Sequence, residues 1–173
     1  MSIRADESET LFSLEGDSFS AMDGERPVTT PARQMCIRAE DIPSKWSEKR
    51  ISVMNQPKFG QRDYASMRFC IEDEGVEKAT VSFETVVYKD APTAAGVLVG
   101  TLKSLGFLNI SKLEVGAMGA MVEVPGQPSR SLRALTFVER NVFGLILLSH
   151  SKDCPVSDSW LISMARLMVS RMR

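Results

Sequence analysis

Apolar and polar residues alternate along much of the chain beyond residue 50, which is the pattern of strands that bury one face. The turn sequence Asp73-Glu74-Gly75 separates two of these stretches, so they predict an antiparallel hairpin. The last stretch is apolar on both faces and predicts a central strand. Gly116 and Gly119 predict a bend within the fourth strand. Six strands are predicted, at residues 51–54, 67–72, 79–87, 113–124, 132–139 and 142–149.

Two helices are predicted, one between the third and fourth strands and one at the end of the chain. Asp90 is placed to cap the first helix, and its glycines Gly96 and Gly100 predict that it packs closely on the sheet. The second helix follows a cap at Ser157 or Asp158 and carries apolar residues at helical spacing. The order β-β-β-α-β-β-β-α predicts an α+β fold, in which an antiparallel sheet of about six strands has both helices packed on one face.

The N-terminal part of the chain differs in charge from the rest. Residues 1–31 carry two basic and seven acidic residues, a net charge of −5, whereas residues 32–173 have a net charge of +4. An acidic stretch with Ser, Thr, Gly and Pro is typical of disorder. We therefore predict a disordered leader over residues 1–34 and a single folded domain over 35–173. Two phenylalanines in the leader leave open a second role, in which it folds onto a partner or back onto its own basic domain.

The overall composition argues against several classes of function. The net charge of −1 does not fit a nucleic-acid-binding surface, which requires a basic excess. No apolar stretch approaches the ~18 residues needed to cross a bilayer. The N-terminus has neither the apolar core of a secretory signal nor the arginines of a transit peptide, so a cytoplasmic location is predicted. No phosphate-binding loop or dinucleotide-binding glycine motif is present, and no cofactor is predicted.

Candidates for catalysis or metal binding are few. His150 is the only histidine, and Cys36, Cys70 and Cys154 lack the close spacing of a zinc site or a disulfide framework. A thiol enzyme that pairs Cys154 with His150 is one alternative, because the two residues lie four apart. The acidic pairs lie in predicted turns, where solvation accounts for them. We therefore predict no metal site and no enzymatic activity.

A binding surface is the remaining functional candidate. Because both helices are expected on one face of the sheet, the other face is predicted to be open and to mix charged with apolar residues. Arg68, Arg133 and Phe137 are expected there, and Trp46 is a further candidate, either as an anchor for a partner or as a lid on the core. We therefore predict a non-catalytic protein-binding or assembly module with an acidic protein partner. A small-ligand carrier or sensor domain is the alternative.

The order of elements, together with three short stretches of sequence, resembles the PsbP-like fold. Residues 37–46, IRAEDIPSKW, are similar to the opening of many small bacterial envelope and sensor-like domains. Residues 87–90, VYKD, and residues 115–119, VGAMG, flank the first helix and fit the same pattern, which covers about residues 37–172. The fold also occurs in mycobacterial lipoprotein and kinase-sensor domains. The resemblance implies a binding or assembly-factor module with no catalytic residues.

Overall fold

The computed structural model describes residues 26–53, 60–105, 109–124 and 128–173. Within these ranges the chain forms a seven-stranded sheet in the order β1-β2-β3-β7-β6-β5-β4, with every neighbouring pair antiparallel. The predicted α+β class is confirmed. The strands are β1 (Ser47–Val53), β2 (Gln61–Asp73), β3 (Val76–Tyr88), β4 (Ile110–Leu113), β5 (Met118–Val124), β6 (Arg130–Glu139) and β7 (Val142–Ser151).

The predicted hairpin and the predicted central strand are both present. Glu74 and Gly75 adopt positive φ angles of 50° and 77°, which makes the tight turn between β2 and β3. Strand β7 lies fourth of seven and pairs with β3 on one side and β6 on the other. Its apolar residues on both faces fit this central position, because a central strand buries side chains on both sides of the sheet.

The structure has seven strands rather than six, because the bend expected in the fourth strand is a full reversal. Strands β4 and β5 form an antiparallel pair in which Leu113 lies opposite Gly119. Gly116 in the turn between them has a φ of 63°, and a Cβ at this position would lie 2.6 Å from the carbonyl oxygen of Val138. A glycine is therefore required where the turn approaches β6.

Three α-helices accompany the sheet within the described ranges: α1 (Ala32–Met35), α2 (Ala91–Ser104) and α3 (Asp158–Ser170). The two long helices were predicted on one face, and this is wrong, because α2 and α3 lie on opposite faces. The physical reason is visible in the strands that carry them. Val86 and Phe143 bury one face of the sheet while Val87 and Val142 bury the other, so each face needs a cover. No helix in the described ranges is both long and apolar enough to span a membrane.

The core of the face under α3 is covered by that helix and by residues 26–46. Val28 and Ala32 are buried at 4% and 0% exposure, although both were assigned to the leader. Arg171 near the chain's end donates to both carboxylate oxygens of Asp41 at 2.6 and 2.9 Å, which holds this segment against α3. Residues from Val28 onward therefore pack with the domain that was predicted to begin at residue 35.

Among the residues that the structure describes, α2 covers only part of the face beneath it. Helix α2 has 14 residues, about 21 Å, whereas β2 and β3 have 13 residues each, about 40 Å. The helix packs on the end of the sheet that contains Tyr88 and Val138. Gly96 and Gly100 do not lie against the sheet as predicted: both are exposed, and a Cβ at either position would meet nothing within 4 Å.

Candidate functional site

The part of the α2 face that the described residues leave uncovered forms a shallow depression of about 250 Å³, which we call the open floor. Strands β2, β3, β7 and β6 supply its side chains, which alternate with residues that point into the core on the other face. It has an apolar centre made by two leucines and a polar margin made by arginine, glutamate and hydroxyl groups. The open floor is lined by Arg68, Glu77, Thr80, Ser82, Arg130, Leu132, Leu147 and Ser149.

The strand register sets the order of these side chains across the sheet. Arg68 lies directly opposite Ser82, and Ser82 lies directly opposite Leu147. Leu132 lies opposite Ser149 on the next pair of strands. Leu132 and Leu147 are only half-buried, although each stands on an interior strand of the sheet. They are therefore apolar groups that the described part of the chain leaves partly in contact with water.

Arg130 is held rigidly at one margin of the open floor. Its Nε donates to the Ser149 hydroxyl at 2.9 Å, and its Nη1 donates to the backbone carbonyl of Glu77 at 3.1 Å. Its Nη2 donates to the Ser149 carbonyl at 3.4 Å. These bonds use neutral acceptors, so they fix the guanidinium in place without neutralising its charge.

Arg68 is more exposed and has one weak ionic partner. Its Nη2 lies 3.9 Å from Oε1 of Glu77, a carboxylate that also accepts a hydrogen bond from Thr80. On the outer side, Arg50 of β1 is paired directly with Arg68. Like charges directly opposite each other across two strands oppose folding. An anionic group placed over this pair would relieve that repulsion.

A half-buried carboxyl group marks the border between the open floor and α2. Glu84 lies on the same face as Ser82 and is paired with Ser66 and Leu145. Burial raises the pKa of Glu84, and no described cation lies within ion-pair distance of it. The neighbouring Tyr64 also has a raised pKa, mainly through burial.

Of the four residues predicted to bind a partner, only Arg68 lies on the open floor. Phe137 is fully buried on the α3 face, where its ring lies over Gly144 so closely that any side chain at that glycine would overlap it. Arg133 is also on the α3 face, bonded to Asp158 and to His150. The expected exposure of Phe137 is therefore wrong, and so is the placement of Arg133 beside Arg68.

Trp46 lies away from the open floor as well. It is 6% exposed and stacks on Trp160 of α3, with ring centroids 5.4 Å apart and ring planes 2° apart. The structure therefore favours the lid on the core over an exposed anchor for a partner.

The alternation of β6 explains both the error and the missed residues. Arg130 and Leu132 alternate with Arg133 along the strand, so they occupy the opposite face from it. Alternation divides the residues of β6 into two sets, but it does not decide which set shares a face with Arg68 or which face the helices leave open. Leu147 carried no signal of its own, because it lies in a strand whose apolar residues on both faces predict a central, buried position.

The candidate thiol chemistry finds no support in the geometry. His150 is buried, with Nδ1 2.8 Å from the Ser151 carbonyl and Nε2 3.3 Å from Nη2 of Arg133, so groups other than Cys154 occupy both ring nitrogens. Burial raises the pKa of the Cys36 thiol to about 11. Within the described ranges, no three His, Cys, Asp or Glu side chains cluster closely enough to hold a metal ion.

Comparison with known proteins identifies a similar fold but no family. No protein-family model matches the chain, and no curated protein matches it. Among solved structures, the extracellular domain of PknH from Mycobacterium tuberculosis is similar, with a TM-score of 0.59 and 10% sequence identity. The match covers 86% of this chain and 98% of that domain. At this identity the likeness shows that the two share a fold and nothing beyond that.

Proposed function

We propose that this protein is a non-catalytic binding module that captures a segment of a protein partner on the open floor. The observation that carries the proposal is the part of the α2 face that the described residues leave uncovered, where Leu132 and Leu147 remain partly exposed between Arg68 and Arg130. An apolar centre with a polar, charged margin is the arrangement of protein-binding surfaces. The size of the surface suits a short extended segment rather than a whole domain.

The charges of the open floor favour an acidic segment. Arg50, Arg68 and Arg130 lie on or beside it, and the carboxylates that face them are Glu77 and the half-buried Glu84. Glu77 is already engaged by Thr80 and Arg68. An incoming carboxylate would offset the repulsion between the charges of Arg50 and Arg68, while an adjacent apolar side chain would cover the two leucines.

The rival functions fit the structure less well. Small-molecule sites are commonly enclosed cavities of about 300–1,000 Å³, and the open floor is a shallow depression of about 250 Å³. A thiol enzyme would need a base beside its cysteine, and His150 is bonded elsewhere. Membership of the PsbP-like group and a cytoplasmic location stay predictions. A sensor domain with a peptide ligand would be a special case of the proposed module.

The proposal is tested by selecting peptides from a random library against the full chain. We expect the selected peptides to be enriched in Asp or Glu next to an apolar residue. Arg68→Glu should weaken their binding roughly 10-fold or more, because it replaces an attraction by a repulsion. Isothermal titration calorimetry on purified peptide and protein measures the change.

The matched control is Arg166→Glu, which makes the same change of charge at an exposed position of α3 on the opposite face. This variant should bind the selected peptides as the unchanged protein does. If both variants weaken binding equally, net charge rather than the open floor attracts the peptides, and the proposal is wrong. Equal binding by Arg68→Glu and the unchanged protein would also overturn it.

A further inference from the structure

We infer that residues 1–25 of this chain bind the open floor and compete there with the partner. The inference rests on the proposed function, because it names a regulator of the same surface. It commits to one occupant, a segment whose charge, apolar content and length all fit.

The first argument is charge. Residues 1–25 contain seven carboxylates and one arginine, a net charge of −6, whereas residues 26–173 have a net charge of +5. The segment therefore carries the sign of charge that Arg50, Arg68 and Arg130 are placed to attract. Acidic tails of this kind bind basic surfaces of their own chain by long-range attraction that salt weakens.

The second argument is the apolar content of the segment. Leu11, Phe12 and Leu14 stand between Glu9 and Glu15, so acidic side chains flank an apolar group within seven residues. The open floor presents the complementary arrangement, with Leu132 and Leu147 between arginines. A purely solvating acidic tail has no need of these three apolar side chains.

The third argument is reach. Residue 26 is fixed beside the β6–β7 turn, where Nη1 of Arg140 donates to its carbonyl at 3.0 Å. The open floor lies at the other end of the same two strands, near Arg130, which is nine residues or about 30 Å along β6 from Glu139. Residues 9–15 precede residue 26 by 11–17 positions, which span up to about 40–60 Å when extended. The segment can therefore reach the open floor, even by a path around α2.

Tethering makes even a weak contact matter. A covalent connection of this length holds the segment near the floor at an effective concentration on the order of millimolar. A partner then binds only the fraction of molecules whose floor is free, so its apparent dissociation constant rises in proportion. The segment would set a threshold that a partner has to exceed.

The test compares two full-length triple variants with the same change of charge. The first is Glu9→Gln, Glu15→Gln and Asp17→Asn, within the segment. The second is Glu48→Gln, Glu114→Gln and Glu123→Gln, at exposed positions outside the open floor. Methyl NMR shifts of Leu132 and Leu147 are recorded without any peptide, and affinity is then measured for peptides selected on the open floor.

We expect the first variant to move both leucine methyl signals and to tighten peptide binding roughly 2- to 10-fold. The second variant should do neither. Unchanged methyl signals in the first variant would overturn the inference, even if peptides still bind and the proposed function stands. If no peptide binds the floor, the proposed function fails, and the methyl signals still decide whether the segment lies there. Shifts that depend on protein concentration would assign the contact to a second copy and overturn the intramolecular arrangement.

Discussion

At the scale of single residues, the contact between Phe137 and Gly144 shows which face of β6 belongs to the core. The Phe137 ring is fully buried and occupies the space that a side chain at Gly144 would need. Phe137→Ala should therefore lower the free energy of unfolding by about 3–5 kcal/mol, the cost of an aromatic-sized cavity. Arg68→Ala, on the open floor, should change it by less than about 0.5 kcal/mol. Urea unfolding followed by circular dichroism measures both, and similar values for the two variants would contradict this assignment.

Residue-scale features that depend on sequence neighbours were predictable, and those that depend on distant ones were not. Asp90 caps α2 by accepting from the Thr93 amide at 2.8 Å, and Ser157 caps α3 by accepting from the Trp160 amide at 3.3 Å. Both caps follow from local chemistry. The environment of Phe137 depends on which face α3 covers, and alternation within one strand does not reveal which face that is.

At the scale of elements, α2 shows how a helix can be predicted with the wrong face inward. Its glycines were assigned to the sheet because close packing requires small residues, yet Gly96 and Gly100 face open space. Alanines fill the sheet side instead, with Ala94 and Ala95 both fully buried. The helix does pack closely through small residues, but glycine and alanine are both small, so the sequence does not show which of the two faces the sheet.

The exposed glycines lead to a prediction about the stability of α2. Gly100→Ala adds a methyl group where nothing lies within 4 Å and removes backbone freedom from the unfolded chain. It should raise the free energy of unfolding by about 0.5–1 kcal/mol, seen as a higher melting temperature. Gly116→Ala is the matched contrast, because its positive φ and the nearby Val138 carbonyl make any side chain unfavourable, so its melting temperature should fall. A fall for Gly100→Ala would show that another surface approaches α2 closely.

At the scale of the whole molecule, the sheet was predictable because its strands and turns are local patterns. The arrangement of its covers was not, because it depends on contacts between parts of the chain more than 100 residues apart. Arg171 joins Asp41 across 130 positions, and the Val28 amide donates to Asn141 across 113. These contacts cover the core of the α3 face, whereas the described residues leave part of the α2 face open, and that part is the candidate site.

The ion pair between Asp41 and Arg171 should make the free energy of unfolding depend on pH. Burial alone would raise the pKa of Asp41. Hydrogen bonds from the Arg171 side chain and the Arg38 amide, together with the positive charges of both arginines, lower this pKa overall. A carboxyl whose pKa is lowered by folding stabilises the protein above its unfolded value of about 4 and loses this contribution as the pH falls. The Asp41 side chain is 10% exposed, so Asp41→Asn should cost about 1–3 kcal/mol near neutral pH.

Urea unfolding measures the free energy of unfolding of the unchanged protein and of Asp41→Asn at steps between neutral pH and about pH 3. The difference in this free energy between the two proteins should be constant above about pH 5 and should narrow below about pH 4. Other carboxylates titrate in both proteins, so they cancel in the difference. Glu40→Gln is the control, since this neighbouring side chain is exposed and makes no bond to Arg171. It should leave the difference near zero at every pH. A gap for Asp41→Asn that stays the same down to about pH 3 would mean that its cost is lost packing rather than lost charge, and that residues 26–46 are held on α3 by burial alone.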